Sequence, residues 1–386
     1  MIRRTILAAT LAALALPASA QQTMKIGLIL PMTGPSQSTG KQIDAAVKLY
    51  IAQHGDTVAG RKIEIILRDD AGVADTTKRL AQELIVRDKV AALAGFGLTP
   101  LAMATAPLAA QAKVPMVVMA AATSIITAQN PYIVRTAQVL PQPAAAMAQW
   151  AAENGIKSAV TLVTDYGPGL DAETWFTRKL KEGGGEVTAS LRVPLASPDF
   201  APFLQRAADA KPQAVFAFVP SGQGAALAKQ FAERGLDKSG IRFIATGDVT
   251  DDDQLNGMGD VVLGVVNAGP YSAAHPSAVN KAFVSAFTAA NPGMRPNFMA
   301  VFGYDGMELI YKALTKTEGN TDGTALVEAM KGLSWESPRG PMMIDPETRD
   351  VVHNLYIRKV ERVDGELYNV EFATIPMMKD PAKAAK

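Results

Sequence analysis

Two textures of apolar and polar positions alternate along the chain. A short apolar run over 24–30 is closed by Pro31, and Ile43, Ala46, Val47, Tyr50 and Ile51 follow at helical spacing, which predicts strand, loop and helix. The unit recurs as a strand over 62–67, a helix over 76–88 with Leu80, Leu84 and Ile85 inward, and a strand over 90–94. The Gly95-Phe96-Gly97 turn then leads to a helix ending at Ala112 and a strand over 116–119. After Pro141 and Pro143 the pattern restarts. A helix through Trp150 precedes strands expected over 159–163, 186–193, 214–219 and 242–245, with helices opening at the 164–169 loop and running over 200–208 and 225–234. Such units, repeated in two halves, predict an α/β fold of two Rossmann-like lobes, each on a parallel sheet covered on both faces.

Residues 1–20 read differently. Arg3 and Arg4 precede an apolar run over 6–16, and Ala18-Ser19-Ala20 stands before Gln21. These are the charged start, apolar middle and small-residue cleavage site of a secretory signal peptide. The run is shorter than the roughly 20 residues a membrane-spanning helix needs, and no later segment is long and charge-free enough. The expectation is a soluble chain exported to the periplasm.

Composition narrows the class further. Lys+Arg 38 against Asp+Glu 37 gives a formal charge of +1, and the chain stays near neutral once Arg3 and Arg4 are removed. That leaves no electrostatic footprint for nucleic acid or an anionic membrane. Cys 0 excludes disulfides and thiolate chemistry, so the fold rests on burial, for which 48% hydrophobic residues over this length suffice to build two cores.

In open parallel sheets a ligand sits beyond the carboxyl ends of the strands, among loops and helix N-termini with unpaired N–H groups. Here those loops are 31–40, 95–99, 120–124, 164–169, 220–224 and 246–251, rich in Gly, Ser and Thr. Such residues let a ligand approach the backbone and add hydroxyl donors, which suits a carboxylate. Each residue alone also serves as a turn or cap; the constellation is what points to a small carboxylate-bearing molecule.

Other chemistries fail on spacing. Gly34-Pro35-Ser36-Gln37-Ser38-Thr39-Gly40-Lys41-Gln42 has five residues between its glycines and Gln after Lys, where a phosphate loop needs four and Ser or Thr. Gly95-Phe96-Gly97-Leu98-Thr99-Pro100 lacks the third glycine of a dinucleotide fingerprint. His54, His275 and His353 are far apart in sequence, with no metal-ligand spacing and no nucleophile elbow in the chain. Asp248, Asp251, Asp252 and Asp253 lack the alternation of a calcium loop and read as a helix N-cap and first turn. Asp248 is the exception: it follows a strand directly, where a carboxylate can meet a ligand's ammonium group.

Several motifs together carry a resemblance. Ile26-Gly27-Leu28-Ile29-Leu30-Pro31-Met32-Thr33-Gly34, Gly60-Arg61-Lys62-Ile63-Glu64, Arg68-Asp69-Asp70, Lys89-Val90-Ala91-Ala92-Leu93-Ala94-Gly95, Asp165-Tyr166-Gly167-Pro168-Gly169 and Tyr304-Asp305-Gly306 occur in order across the chain. In this it resembles the leucine/isoleucine/valine-binding protein family, type I periplasmic solute-binding proteins of branched-chain amino-acid ABC importers. The resemblance implies two lobes joined by three crossings near 137–139, 268–270 and 350–351. Lobe 1 would then comprise 24–138 plus 270–350 and lobe 2 139–269 plus 351–376, followed by a polar tail, 377–386, frayed over its end.

The family's carboxylate-binding hydroxyl corresponds to Thr99, and its small-residue loop to Ala121, Ala122 and Thr123. The tyrosine that closes over the ligand corresponds to Tyr166, with Ser221 facing it. The ammonium-pairing acid falls at Asp248 or at Val249. Ser36, Gln37 and Ser38 stand where amino-acid binders often carry an aromatic residue, and Ser221 where a Tyr is common, so the rim is small and polar. The resemblance therefore implies a monomeric receptor without cofactor or metal, delivering to inner-membrane permease subunits. Its ligand would be a branched-chain or related amino acid. The alternatives are an aromatic or other organic acid on which Phe96 could stack, and a role as a periplasmic sensory subunit.

Overall fold

The computed structural model describes residues 22–196 and 199–384; the expected signal peptide, 1–20, lies outside the described residues. Strand β1 (Thr23–Leu30) runs into helix α1 (Gln37–His54). A two-residue strand, β2 (Thr57–Val58), precedes β3 (Arg61–Asp69) and α2 (Ala74–Glu83), then β4 (Ala92–Gly95), α3 (Thr99–Ala112), β5 (Met116–Val118) and β6 (Ile133–Arg135). These strands form one sheet in the order β2-β3-β1-β4-β5-β6, parallel except for β2. β1 lies between β3 and β4, pairing Ile26 with Ile65 on one side and Ala92 on the other. It is covered on both faces, and so it is apolar almost throughout rather than alternating. Gly95 ends β4 at φ +106, and a side chain there would drive its Cβ into the Ile29 carbonyl oxygen, so only glycine lets the two strands approach.

The second half begins with α4 (Pro141–Glu153), where Pro141 takes the first helical position that a missing N–H favours. Then follow β7 (Ser158–Thr164), α5 (Gly167–Glu182), β8 (Glu186–Val193), α6 (Ala201–Asp209), β9 (Ala214–Phe218), α7 (Gly224–Glu233), β10 (Arg242–Thr246), the short α8 (Leu255–Met258) and β11 (Val266–Gly269). After α9 (Ala278–Ala290), α10 (Phe298–Lys316) and α11 (Gly323–Met330) come β12 (Ser334–Ser337), β13 (Gly340–Ile344), β14 (Val351–Val363), β15 (Glu366–Met378) and the terminal turn α12 (Pro381–Ala384). The second sheet has nine strands, ordered β12-β13-β14-β11-β10-β9-β7-β8 with β15 also on β14.

Its half from β8 to β11 is parallel, but β12 to β15 join antiparallel, so this sheet is mixed rather than purely parallel. The cause is local. Asp364 and Gly365 both adopt positive φ between the paired residues Val363 and Glu366, the two-residue turn whose twist matches a hairpin.

The cores show how the halves interlock. One core joins β1 and α1 (Ile26, Ile43, Val47, Tyr50) to α9 and α10 (Phe283, Phe302, Ile310, Leu314), with Ala137, Tyr271, Ile344 and Val351 at its margin. Another joins α4 and α5 (Met147, Phe176) to Phe216, Ile244, Ala268 and Ile357. The chain thus changes core between Ala137 and Leu140, between Ala268 and Tyr271, and between Val351 and Ile357. Each sheet's opposite face carries a further core, around Leu84, Phe96 and Ala106 in the first half and Phe200, Leu204 and Leu227 in the second.

Of the end expected to fray, residues 379–383 are engaged instead. Lys379 pairs with Asp345 at 2.9 Å, Asp380 accepts the Ser124 hydroxyl, and Lys383 pairs with Asp350. Its polar residues meet buried counter-charges, which local sequence could not show.

Candidate ligand-binding cleft

The loops at the carboxyl ends of both sheets converge on a narrow cleft. From the first sheet come Ser36 and Thr39 at the start of α1, Leu98 and Thr99 at the start of α3, and Ala120 to Ala122 after β5. From the second come Tyr166 and Pro168 at the start of α5, Phe218, Pro220 and Ser221 after β9, and Asp248 after β10. Leu140, at the first change of core, and Met299, in the first turn of α10, complete the wall.

One end of the cleft carries a pair of hydroxyls. The hydroxyls of Thr99 and Thr123 share a hydrogen bond of 2.8 Å, and both residues are buried. Gly167 opens α5 directly against this pair: a Cβ there would lie 2.5 Å from Thr123 Oγ1. Close approach of the two halves therefore demands glycine at that helix start. Ala121 lines the cavity, but its N–H donates to the Phe96 carbonyl at 3.0 Å and is already taken. Ala122 and Thr123 donate no backbone hydrogen bond to any described residue.

The other groups lie toward the second sheet. Asp248 accepts from Gln138 Nε2 at 3.2 Å, and burial pushes its carboxyl up to about 6 against the pull of its hydrogen bonds and the Arg358 charge. The Tyr166 ring stacks parallel to Phe218 at 6.1 Å. Burial, and then the neighbouring Asp248 carboxylate, raise its phenol above the ordinary tyrosine range, so it stays a neutral donor. Ser221 is buried with its hydroxyl near the Asp251 carboxylate but in no well-aligned bond. Leu98, Leu140, Phe218, Met299, Pro168 and Pro220 make the remaining wall apolar.

Ser36, Thr99, Ala121, Tyr166, Ser221 and Asp248 are brought together on this cavity, and Thr123 stands behind Thr99. Phe96 is not. It is fully buried in the core against α2 and α3, at a backbone φ of +67, and does not line the cleft, so it does not stack on a ligand there. The acidic group after β10 also departs from the helix-cap expectation. The cap residue of α8 is Gln254, whereas Asp251 and Asp252 are buried between the halves. Asp253 accepts the Ser38 hydroxyl from α1, and Asp251 accepts from Asn297 at the start of α10 at 3.1 Å. These carboxylates hold the first-turn region of two helices of the other half, a pairing invisible to local reading.

Sequence reasoning also missed Leu140, Phe218 and Met299 on the wall, Gln138 behind Asp248, and Arg135 beneath it. Arg135 is fully buried, and it donates to the carbonyls of Thr123 at 2.7 Å and Ala121 at 3.2 Å. A lone cation closing the apolar strand Ile133-Val134-Arg135 was the available signal.

Two α/β halves, entwined by three passages of the chain and facing one another across a small polar-ended cavity, define a two-lobed solute receptor. A family model described as periplasmic binding protein matches residues 23–366. Leu/Ile/Val-binding protein homolog 6 of Brucella abortus (strain 2308) is 42% identical over 379 residues, 97% of each chain. Among solved structures, the solute-binding protein of an ABC transporter from Rhodopseudomonas palustris BisB5 in complex with 3,4-dihydroxybenzoic acid is 64% identical. It aligns with a TM-score of 0.92 over 94% of this chain and 99% of that one. A solute-binding protein of an ABC transporter from Rhodopseudomonas palustris HaA2 in complex with p-hydroxybenzoic acid is 39% identical, with a TM-score of 0.92 over 95% and 100%. The chain belongs to the periplasmic binding protein family, and it is a solute-binding protein of the kind that serves ABC transporters.

Proposed function

We propose that this receptor works in the periplasm, captures an aromatic monocarboxylate and presents it to membrane permease subunits. The observation that carries the reading is the cleft's polarity: the Thr99–Thr123 hydroxyl pair closes one end of a cavity walled by Leu140, Phe218 and Met299. A carboxylate at the hydroxyl end and a flat ring between apolar walls fit that division. The two aromatic-acid complexes among this chain's relatives support the same choice over a branched aliphatic amino acid.

Capture follows from the geometry. The carboxylate docks on the first lobe, at Thr99, Thr123 and the free Ala122 N–H. The second lobe then covers the ring with Tyr166, Pro220 and Ser221, and closure is favoured only by contacts a ligand makes in the closed form. Micromolar binding requires about −8.2 kcal/mol. Burying about 150 Å² of ring at roughly 25 cal/mol/Å² supplies about 4 kcal/mol, and two charge-assisted hydrogen bonds at about 1.5–3 kcal/mol each supply most of the rest. Calorimetry with benzoate, 4-hydroxybenzoate, 3,4-dihydroxybenzoate and leucine tests the assignment. Preference for leucine over every aromatic acid would return the cleft to the amino-acid reading, with Asp248 facing the ammonium.

A further inference from the structure

A second polar cluster lies behind the Thr123 loop, and the capture mechanism leaves it without a role. All of the Arg135 guanidinium's hydrogen-bonding directions are engaged. Nη1 donates to Thr123 O at 2.7 Å and Ala121 O at 3.2 Å, Nη2 to Ser124 O at 3.4 Å and Asp350 Oδ1 at 2.5 Å, and Nε to Asp350 Oδ1 at 2.8 Å. Taking the carbonyls of Ala121 and Thr123, alternate positions of an extended stretch, leaves the peptide groups of Ala122 on the opposite side. There the Ala122 carbonyl accepts from Leu140 N–H at 3.0 Å, and Leu140 lines the cavity. The Ala122 N–H is thereby held toward the anion end, with no acceptor among the described residues.

The C-terminal segment completes this clamp. Lys383, its side chain 18% exposed, pairs with the second oxygen of Asp350 and donates to Thr127 Oγ1 at 2.5 Å. Asp380 accepts the Ser124 hydroxyl, and Asp171 of α5 accepts the Ser124 N–H at 2.8 Å. Asp350 is therefore shared between two cations. Removing Lys383 leaves Asp350 with Arg135 as its one cationic partner and the Thr127 hydroxyl as a neutral donor at 3.1 Å, which draws the guanidinium toward the carboxylate and away from the loop carbonyls.

We infer that residues 379–383 are a positioning element of the anion end: through Lys383, Asp350 and Arg135, and through Asp380 and Ser124, they set the loop that offers Ala122 N–H and Thr123 to a carboxylate. The inference rests on the carboxylate reading of that loop. It assigns a binding role to a segment that touches no ligand.

The experiment compares the full chain with Lys383→Met, Lys383→Arg and a chain stopped after Met378, by calorimetry with 4-hydroxybenzoate and by thermal denaturation without it. Lys383→Met and the shortened chain should each bind about tenfold or more weakly. Lys383→Arg should restore affinity, while the ligand-free melting temperatures of the two Lys383 variants remain alike. Unchanged affinity in the shortened chain, or in Lys383→Met if the shortened chain does not fold, overturns the inference and leaves the carboxylate reading standing. Equal loss in Lys383→Met and Lys383→Arg also overturns it, because a bulk packing role would then suffice. A full chain that binds neither an aromatic acid nor leucine removes the carboxylate reading and this inference together.

Discussion

Replacing Thr99 with valine keeps the shape of the anion end while deleting one hydroxyl. In the ligand-free protein the loss is the neutral 2.8 Å bond to Thr123, a net of about 1 kcal/mol, so the melting temperature should fall by only a few degrees. With ligand the loss is larger. A hydrogen bond to a carboxylate is worth about 1.5–3 kcal/mol, which at about 1.4 kcal/mol per decade weakens binding roughly 10- to 150-fold. The two hydroxyls share one site, so Thr123 can swing to the ligand when Thr99 is lost, and the pair should not be additive. Calorimetry with 4-hydroxybenzoate on Thr99→Val, Thr123→Val and the double variant measures this. Affinity within twofold of the parent in the double variant, with the fold intact by circular dichroism, would refute the assignment of the anion to this pair.

Asp248→Asn should weaken 4-hydroxybenzoate more than benzoate, because only the former has a ring hydroxyl to donate; matched losses in a titration of both would take Asp248 off the list of ligand contacts. Acidification should stabilise the protein. Burial holds the carboxyls of Asp171, Asp248 and Asp252 up to about 6 each, against about 3.9 in the unfolded chain. Their stabilising effect is therefore full below about pH 4 and lost as pH rises through about 6, with a ceiling near 3 kcal/mol for each buried group. The melting temperature should climb from pH 7.5 to 5.5, and a flat or falling profile there would contradict the burial argument. Arg339→Met strands Asp305, its fully buried partner at 2.8 Å, with only Trp335 and Ser337 as donors. A loss of about 3–5 kcal/mol in urea unfolding is expected, with partial recovery when Asp305→Asn is added; no change would show the pair to be solvated.

Much of the scaffold is legible from local pattern because each unit buries its own apolar face. The strand expected over 186–193 matches β8 in both bounds, and the loops at the strand ends do converge. What escaped local reading depends on distant partners or on backbone sign. The Asp364-Gly365 turn carries a hairpin signal for β14 and β15, but the antiparallel pairing of β14 with β11 and β13 depends on partners distant in sequence. Phe96 between two glycines looks like an exposed aromatic, yet at positive φ it is fully buried. The carboxylates at 251–253 resemble a helix start only while Ser38 and Asn297, more than 40 positions away in either direction, are out of view. Arg135 owes its place to Asp350, 215 positions on.

The three changes of core also govern the order in which the molecule can assemble. The core around Phe176 and Phe216 draws mostly on one continuous stretch of chain, whereas that around Ile43 needs Phe302 and Leu314. Gln42 itself bonds the Arg295 carbonyl, 253 positions away. Closing so long a loop slows folding through chain entropy. The middle lobe is therefore positioned to condense first and serve as the template, and the lobe bearing the N-terminus becomes the last to finish. Until α10 arrives, β1 and α1 stay uncovered on one face, which makes that interval the moment at which aggregation competes with maturation.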